Sequence, residues 1–332
     1  MPRIVRFHEL GGPEVLRIEQ VDILPPGPGE IQIRVKALGL NRAEALMRAG
    51  QYLESPALPS SLGFEAAGEV ASLGLGVDGF RLGDAVSVIP PLSQAQWPTY
   101  AEIINFPAYL VVKHPESLGW EAAAALWMPY LTAYGALVDI ARAGPGDFIA
   151  ITAASSSVGL AAIQIARQAG AHPIAITRTS AKVPALREQG ATDVIACQEQ
   201  DLAGSLNLIT GGKQVRVVLD AVGGPNFTPL ADAMAPGGIL FSYGGLSGQP
   251  TPYPLAQVLA KNLTLRGYLV HEITGNPAKL DNAKRFILEG LRKGDLTPVI
   301  DKIFPFDEIA DAHRHLESNQ QFGKIVVRIA PL

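Results

Sequence analysis

The sequence predicts an α/β protein that combines a β-rich domain with a doubly wound parallel sheet. Its 332 residues suffice for about two domains, since one domain takes roughly 100–200 residues. Apolar and polar residues alternate over residues 31–36, as they do in a half-buried strand. From residue 148 onward, short apolar runs alternate with helix-like segments, which is typical of βαβ units.

The first 120 residues predict short strands separated by turns. The strand-like segment 31–36 follows the turn-forming segment Pro25–Gly29. Further apolar runs at 66–71 and 85–89 are separated by glycine-bearing turns. Many short strands punctuated in this way favour a small barrel or a sandwich.

The segment after residue 148 predicts the parallel sheet. A helix over Val158–Ala169 ends where Gly170 can close it, and a second helix over 181–189 is followed by Gly190. Four apolar runs have the composition of buried strands: Phe148–Thr152, Pro173–Thr177, Val215–Leu219 and Ile239–Ser242. Strands that alternate with helices favour a doubly wound sheet.

The C-terminal segment leaves this alternation. It contains a helix-like stretch over Asn282–Lys293 and a final strand-like stretch over Lys324–Ile329. We interpret it as a return to the first domain, which makes that domain discontinuous. The predicted boundaries are 1–127 with 268–332 for the β-rich domain and 128–267 for the parallel-sheet domain.

Composition and charge exclude several classes of protein. Lysine and arginine total 27 against 31 for aspartate and glutamate, so the net charge of −4 offers no general attraction to nucleic acid or anionic membrane. The single cysteine, Cys197, cannot form an intramolecular disulfide or a multi-cysteine zinc site. The N-terminal residues lack the apolar core of a secretion signal, and no stretch has the ~20 continuous apolar residues of a membrane span. We therefore expect a cytoplasmic protein that binds neither nucleic acid nor membrane.

A loop of small residues, Ala153–Gly159, lies between a predicted strand and a predicted helix. A dinucleotide-binding fold places its pyrophosphate there, because small residues allow close approach and the helix N-terminus offers N–H groups and a positive dipole end. Ser156, Ser157 and Val158 would surround the pyrophosphate. The strict G-x-G-x-x-G pattern is absent, since serines hold positions where glycine is usual, so an ordinary strand-to-helix turn is the alternative.

A basic segment follows at the end of the second strand, 19 residues after Gly159, where a dinucleotide-binding fold reads the adenosine ribose. An NAD site has an acidic residue at this place, whereas this chain has Arg178, Thr179 and Lys182 and no acid between 177 and 182. These side chains suit a 2′-phosphate and therefore predict NADPH. The alternative is a solvated basic helix start, although positive charge there opposes the helix dipole.

Several motifs identify a resemblance over essentially the whole chain. In chain order they are His8–Leu16, Gly39–Arg42, Gly63–Gly68, Leu131–Tyr134, Asp220–Gly224 and Gly323–Val326. With them the chain resembles the zinc-independent, zeta-crystallin-like quinone oxidoreductases of the medium-chain dehydrogenase/reductase superfamily. The resemblance implies a GroES-like β-barrel domain, a Rossmann domain that binds NADPH, and a homodimer.

The resemblance also implies further cofactor-binding residues. Asn41 matches an asparagine beside the nicotinamide ribose, Thr132 a threonine at the carboxamide, and Lys324 a lysine that faces the cofactor. The glycine pair that would line the cofactor is Gly244 and Gly245. The structural alternatives for the first three are a loop-terminating asparagine, a threonine inside a helix and a lysine at the surface.

Zinc-dependent relatives carry ligands that this chain lacks. Phe64 stands where they place a histidine, Asn41 falls near their first cysteine ligand, and no cysteine lies near Tyr130. Glu65 would remain alone at the motif, whereas zinc needs three or four ligands. The sequence therefore predicts no metal site and a structural role for Glu65.

These observations together predict an NADPH-dependent, metal-free oxidoreductase that transfers hydride to a quinone or an α,β-unsaturated carbonyl compound. Reduction of an enone leaves an enolate that must be protonated, and the resemblance to enoyl reductases assigns this role to Tyr52. Solvent is the alternative proton source, with Tyr52 then packed under the loop Pro56–Pro59. An NADPH-binding protein with a crystallin-like or regulatory role is the alternative function.

Overall fold

A computed structural model describes residues 1–115 and 118–330. The chain divides into a first unit, Met1–Met128 with Pro298–Leu332, and a second unit, Pro129–Thr297. The observed break after residue 128 lies next to the predicted one after residue 127. The predicted return at 268 is wrong, because residues 268–297 belong to the second unit.

The N-terminal part of the first unit is rich in strands. They are β1 (Arg3–Arg6), β2 (Arg17–Gln20), β3 (Glu30–Gly39), β4 (Glu65–Leu73), β5 (Ala85–Val88), β6 (Ile103–Pro107) and β7 (Val111–Lys113). The helices are α1 (Arg42–Arg48) and α2 (Trp120–Ala124). β3 confirms the alternating pattern, because Ile31, Ile33 and Val35 are buried.

The second unit alternates strands and helices. After α3 (Trp127–Tyr134), its strands are β8 (Phe148–Ile151), β9 (His172–Thr177), β10 (Asp193–Ala196), β11 (Val215–Asp220), β12 (Met234–Ser242) and β13 (Thr264–Gly267). Its helices are α4 (Ser157–Gln168), α5 (Val183–Glu188), α6 (Leu202–Ile209), α7 (Phe227–Asp232), α8 (Leu255–Lys261), α9 (His271–Thr274) and α10 (Pro277–Lys293).

The chain then returns to the first unit with β14 (Ile300–Pro305), α11 (Ile309–Glu317) and β15 (Lys324–Arg328). β15 pairs with β14 and, antiparallel, with β3. Among the described residues the first unit has a seven-stranded sheet of order β14-β15-β3-β4-β5-β7, with β6 also paired to β3, and a small β1–β2 sheet. The first unit therefore contains segments from both ends of the chain.

The strands of the second unit form the predicted parallel sheet. Within residues 129–297, all described, six strands follow the order β10-β9-β8-β11-β12-β13, and each pairing is parallel. This is the doubly wound order in which the chain reverses direction between β8 and β11. Ligands of such sheets bind outside the carboxyl ends of the strands at that point.

Helix α10 explains why residues 268–297 stay with the second unit. Lys279 on this helix forms an ion pair with Asp139 at 2.7 Å. The ring of Phe286 lies 5.1 Å from that of Tyr134. An apolar stripe on the helix shows that it packs against a neighbour, but not which unit supplies that neighbour.

No helix in the described part of the chain is long and apolar enough to cross a membrane.

Candidate active site

The serine loop of the second unit leads directly into helix α4. Ser156 caps α4, and its Oγ accepts a hydrogen bond from the N–H of Gly159 at 3.1 Å. A Cβ on Gly159 would lie 2.6 Å from the carbonyl oxygen of Ala154, so glycine is required where the helix approaches the loop. Ser156, Ser157 and Val158 are only half-buried. The loop therefore offers small residues and the open N–H groups of a helix start.

A buried hydrogen-bond pair joins the carboxyl ends of β8 and β11. Thr152 Oγ1 donates to Asp220 Oδ1 at 2.7 Å. Asp220 also accepts hydrogen bonds from the N–H groups of Val222 at 3.0 Å and Gly223 at 2.9 Å. The carboxylate of Asp220 thus orders the loop at the switch point of the sheet.

The loop after β12 carries the predicted glycine pair. Gly244 and Gly245 are exposed, and a Cβ on Gly244 would lie 2.8 Å from the carbonyl oxygen of Ala221. The preceding Tyr243 hydroxyl is buried near Ser156, and the described residues give it no hydrogen-bond partner. Burial raises the pKa of Tyr243, so its hydroxyl remains a donor. An unpaired buried donor costs about 1–3 kcal/mol, and a ligand oxygen beside Ser156 would satisfy it.

The predicted cations lie at the end of β9. Arg178 and Thr179 are exposed. Lys182 lies against the serine loop, because its Nζ donates to Ser155 Oγ at 3.1 Å. Lys182 therefore joins the end of β9 to the serine loop, a contact that the sequence distance between residues 155 and 182 does not reveal.

An acidic residue from elsewhere in the chain also reaches this end. The N–H of Ser180 donates to Glu199 Oε1 at 2.9 Å, and Glu199 follows β10. Residues 177–182 themselves contain no acid, but the fold brings the carboxylate of Glu199 to the main chain of this segment. In the same loop Cys197 Sγ accepts a hydrogen bond from Asn226 Nδ2 at 3.7 Å, and burial raises the pKa of the thiol.

In the first unit, Asn41, Glu65 and Lys324 meet although they are far apart in the sequence. The ammonium of Lys324, only 1% exposed, donates to Asn41 Oδ1 at 2.6 Å and forms an ion pair with Glu65. Asn41 Nδ2 donates to Glu65 Oε2 at 3.2 Å, and the N–H of Met128 donates to Glu65 Oε1 at 2.8 Å. The alternative of a surface lysine at 324 is wrong.

Glu44 is buried beside this cluster at the start of α1. Its Oε2 accepts hydrogen bonds from the N–H of Asn41 at 2.6 Å and the hydroxyl of Tyr100 at 2.7 Å. Its Oε1 accepts from the N–H of Phe64 at 3.0 Å and from Asn41 Nδ2 at 3.1 Å. Burial nevertheless raises the pKa of Glu44 to about 7, against the opposing effect of these donors and of Lys324.

A buried polar chain extends from Glu44 toward the surface. The Tyr100 hydroxyl lies 3.1 Å from His313 Nε2, and Arg48 Nη1 lies 2.9 Å from His313 Nδ1. Arg48 Nη2 donates to Glu317 Oε1 at 2.7 Å. Burial, aided by Arg48 and Arg42, lowers the pKa of His313 to about 3, so its imidazole is neutral.

Tyr52, the predicted proton donor, is half-buried. Its ring meets Phe64 edge-to-face with the ring centroids 6.3 Å apart. Burial, and then the carboxylates of Glu54 and Glu44, raise the pKa of Tyr52 to about 12. The phenol therefore keeps its proton at neutral pH, as an acid must.

Thr132 lies inside α3 and is buried, which agrees with the alternative of an ordinary threonine inside a helix. Asn41 likewise caps α1. These roles leave the cofactor contacts of Asn41, Thr132 and Lys324 as predictions.

Sequence reasoning missed four residues of the buried polar chain that begins at Asn41: Glu44, Tyr100, His313 and Arg48. One signal was present, since asparagine followed three residues later by glutamate is a capping-box pattern. That pattern is typical of exposed helix ends, however, and does not reveal that this carboxylate is buried.

The described residues contain no group of three or more His, Cys, Asp or Glu side chains arranged to hold a metal ion. Phe64 is fully buried, and Glu65 is bonded to Lys324, Asn41 and Met128.

Two family models match the chain. An alcohol dehydrogenase GroES-like domain matches residues 27–116, and a zinc-binding dehydrogenase domain matches residues 157–288. The first lies in the first unit, and the second lies in the parallel-sheet unit.

Full-length relatives cover both units. A 2-haloacrylate reductase from Burkholderia sp is 31% identical over 97% of this chain and 97% of its own length. Quinone oxidoreductase 1 from Escherichia coli K12 is 33% identical over 96% of this chain and 97% of its own length. A crystal structure of Escherichia coli quinone oxidoreductase complexed with NADPH matches with a TM-score of 0.89 and 30% identity, covering 98% of this chain and 99% of that chain.

Proposed function

The chain belongs to the quinone oxidoreductase branch of the medium-chain dehydrogenase/reductase superfamily, and from this membership we propose its reaction. It is an NADPH-dependent oxidoreductase that transfers hydride to a quinone or an α,β-unsaturated carbonyl compound. The observation that carries this proposal is the full-length match to a quinone oxidoreductase complexed with NADPH. The relative named for 2-haloacrylate, itself an α,β-unsaturated acid, supports the second class of acceptor. These relatives give no support to a non-enzymatic role.

The second unit holds the phosphates and ribose of NADPH in this proposal. Ser156, Ser157 and Val158 would bind the pyrophosphate with the N–H groups at the start of α4. Arg178, Thr179 and Lys182 would bind the 2′-phosphate, and the loop Gly244–Gly245 would line the cofactor. The unpaired Tyr243 hydroxyl beside Ser156 supports a ligand at this place.

Asn41, Thr132 and Lys324 are the residues that would orient the nicotinamide end. NADPH supplies the hydride when bound, and the protein supplies orientation and exclusion of water. Lys324 and Asn41 are held together by Glu65, so both would present fixed polar groups. Tyr52 would then hold the proton, at its hydroxyl oxygen, that the enolate of an enone receives.

The reaction requires no zinc in this proposal, although one matching family model is described as a zinc-binding dehydrogenase. The reason is that Glu65, the carboxylate of the motif, is occupied by the ammonium of Lys324. Purified protein should contain less than one zinc per chain by mass spectrometry and keep full turnover in a chelator. Turnover that is lost to the chelator and restored by added zinc would contradict metal independence.

We also propose a homodimer formed through the edge of the parallel sheet. β13 pairs with β12 alone among the described strands, and such an edge is a template for pairing with a second copy. Beside it, α8 exposes Leu255 and Leu259, the latter by 69%. Sedimentation should give twice the chain mass, and Leu259→Glu should shift the protein toward the monomer.

The matched control is Leu208→Glu on α6, where the leucine is 83% exposed. It should leave the dimer intact, since it lies on another helix of the same unit. A monomeric parent protein, or equal effects of both substitutions, would contradict the proposed interface.

A cytoplasmic enzyme without nucleic-acid or membrane partners completes the proposal. Cell fractionation should recover the protein and its activity in the soluble fraction. Recovery with the membrane pellet after a salt wash would contradict it.

The proposed reaction is tested by following NADPH oxidation against a panel of quinones and enones. Acceptor-dependent oxidation that is saturable in both substrates is the expected result. Oxidation of NADPH at the same rate without an acceptor, or none with any acceptor, would contradict the proposed function.

A further inference from the structure

Glu44 is a fully buried carboxylate for which the proposed mechanism has no direct use. Its two oxygens accept four hydrogen bonds from three parts of the first unit. The donors are the main chain and amide of Asn41, the main chain of Phe64 and the hydroxyl of Tyr100. A capping-box glutamate ordinarily bonds only to the start of its own helix, whereas Glu44 also accepts hydrogen bonds from Phe64 and Tyr100.

The direction of each hydrogen bond is determined by its neighbours. Arg48 has only hydrogens to give, so His313 Nδ1 must accept from it. The neutral imidazole then carries its hydrogen on Nε2 and donates it to the oxygen of Tyr100. The single hydrogen of Tyr100 is therefore directed at Glu44.

A protonated Glu44 would consequently have no acceptor among its four partners. The main-chain N–H groups and the Asn41 amide nitrogen cannot accept, and Tyr100 cannot turn its hydrogen to the already protonated Nε2 of His313. Proton uptake must displace at least one donor. The carboxyl nevertheless titrates near neutrality, because burial raises its pKa to about 7.

Charged and titratable groups face Glu44 from several elements. Lys324 on β15 favours its charged form, and Glu65 on β4 lies beyond Asn41. Tyr100 precedes β6, His313 comes from α11 and Arg48 from α1 itself. Tyr52 is close enough for the charge of Glu44 to raise its pKa.

Two of the groups that Glu44 holds lead to residues with a part in the proposed reaction. Asn41 connects it to Lys324, and the Phe64 main chain connects it to the ring on which Tyr52 packs. We propose that Glu44 is a positioning residue, whose ionised carboxylate fixes the Asn41 amide and the Phe64 main chain and whose protonation releases them. This inference rests on the proposed function, because Asn41 and Tyr52 are its targets.

The proposal predicts that the turnover of the parent protein falls toward acid pH, a feature called the acid limb of its pH profile. With one proton taken up near pH 7, kcat should be about tenfold lower at pH 6 than at pH 8. The dissociation constant of NADPH should change by no more than about twofold, because the phosphates bind to the second unit.

Glu44→Gln should abolish this pH dependence. An amide has one acceptor oxygen and one NH2 group, so two of the four donors lose their acceptor whichever way the amide is turned, and one of those two always belongs to Asn41. We expect kcat at pH 8 to fall about ten- to a hundredfold, the range for a lost hydrogen bond to a charged group, and to stay level from pH 6 to 8.

Stability provides the readout that separates positioning from a structural role. Because the pKa of Glu44 is raised from 4.5 to about 7, its contribution to stability is fully present below pH 4.5 and is lost as the pH rises through 7. Stability from this group therefore falls between about pH 4.5 and 7, whereas turnover rises through pH 7. If Glu44 had only a structural role, turnover would follow the fraction of folded protein as the pH changes.

Two further variants complete the experiment. Glu317→Gln removes the carboxylate at the surface end of the chain and should keep the acid limb of the parent protein. Tyr100→Phe removes one donor from Glu44, which should raise the pKa of the carboxyl and move the limb about half to one unit toward alkaline pH. This second variant gives a prediction even if Glu44→Gln does not fold.

The outcomes separate this proposal from the proposed function. An acid limb in the parent protein that vanishes in Glu44→Gln and moves alkaline in Tyr100→Phe supports it. Turnover that does not change with pH in the parent protein would overturn the role of Glu44 and leave the function intact. The same holds if Glu44→Gln and Tyr100→Phe both lose turnover toward acid pH in the same way as the parent protein. No turnover at any pH would overturn both.

Discussion

Replacing Tyr52 by phenylalanine should slow enone reduction about 100- to 10,000-fold, the usual contribution of a positioned general acid. The substitution removes only the hydroxyl, so the edge-to-face contact with Phe64 should persist. Because the pKa of Tyr52 is about 12, the parent phenol is protonated throughout neutral pH and can donate to a developing enolate. Steady-state rates with an enone measure this effect.

Quinone reduction is the internal control for this variant. A hydroquinone anion is a stable product and needs less help from an acid, so quinone turnover and NADPH affinity should change little. Tyr109→Phe is the matched control, since that tyrosine of the first unit is largely exposed. Unchanged enone turnover in Tyr52→Phe would dismiss this residue and indicate solvent as the proton source.

Arg178→Ala should weaken NADPH binding about ten- to a hundredfold and leave NADH nearly unchanged. A charge-assisted hydrogen bond contributes about 1.5–3 kcal/mol, and only NADPH carries the 2′-phosphate that would receive it. Dissociation constants for both cofactors, measured by fluorescence titration at fixed ionic strength, give the comparison.

Arg187→Ala provides the control, because Arg187 is an exposed arginine of the neighbouring helix α5. It should leave both dissociation constants unchanged. Equal losses of affinity for NADPH and NADH in Arg178→Ala would mean that the arginine has a structural role.

Glu199→Gln should in turn raise the affinity for NADPH, because it removes a negative charge that is bonded to the N–H of Ser180, the residue after Thr179.

The sequence could predict those parts of the fold that depend on neighbouring residues. The alternation at 31–36 and the glycines after α4 and α5 are local signals, and the structure confirms both elements. The place of α10 could not be predicted in this way. Its apolar stripe requires a neighbour, and only the folded chain shows that Asp139 and Tyr134 lie beside it.

The same distinction applies to the candidate site. Ser156, Ser157 and Val158 are contiguous, so their loop could be recognised from its position between strand and helix. Lys324 and Asn41 are 283 residues apart, and their hydrogen bond depends on the pairing of β15 with β3. The capping-box spacing of Asn41 and Glu44 does not reveal that Glu44 is buried, because burial depends on tertiary packing.

Hydride transfer itself is tested most directly with NADPH deuterated on the transferring face of nicotinamide C4. Reduction of an enone should place the deuterium on the carbon β to the carbonyl, whereas the α carbon receives an ordinary, exchangeable proton, which we assign to the Tyr52 hydroxyl. Product without deuterium, or NADPH consumed while the enone remains unreduced, would contradict hydride transfer from NADPH to a conjugated carbonyl compound.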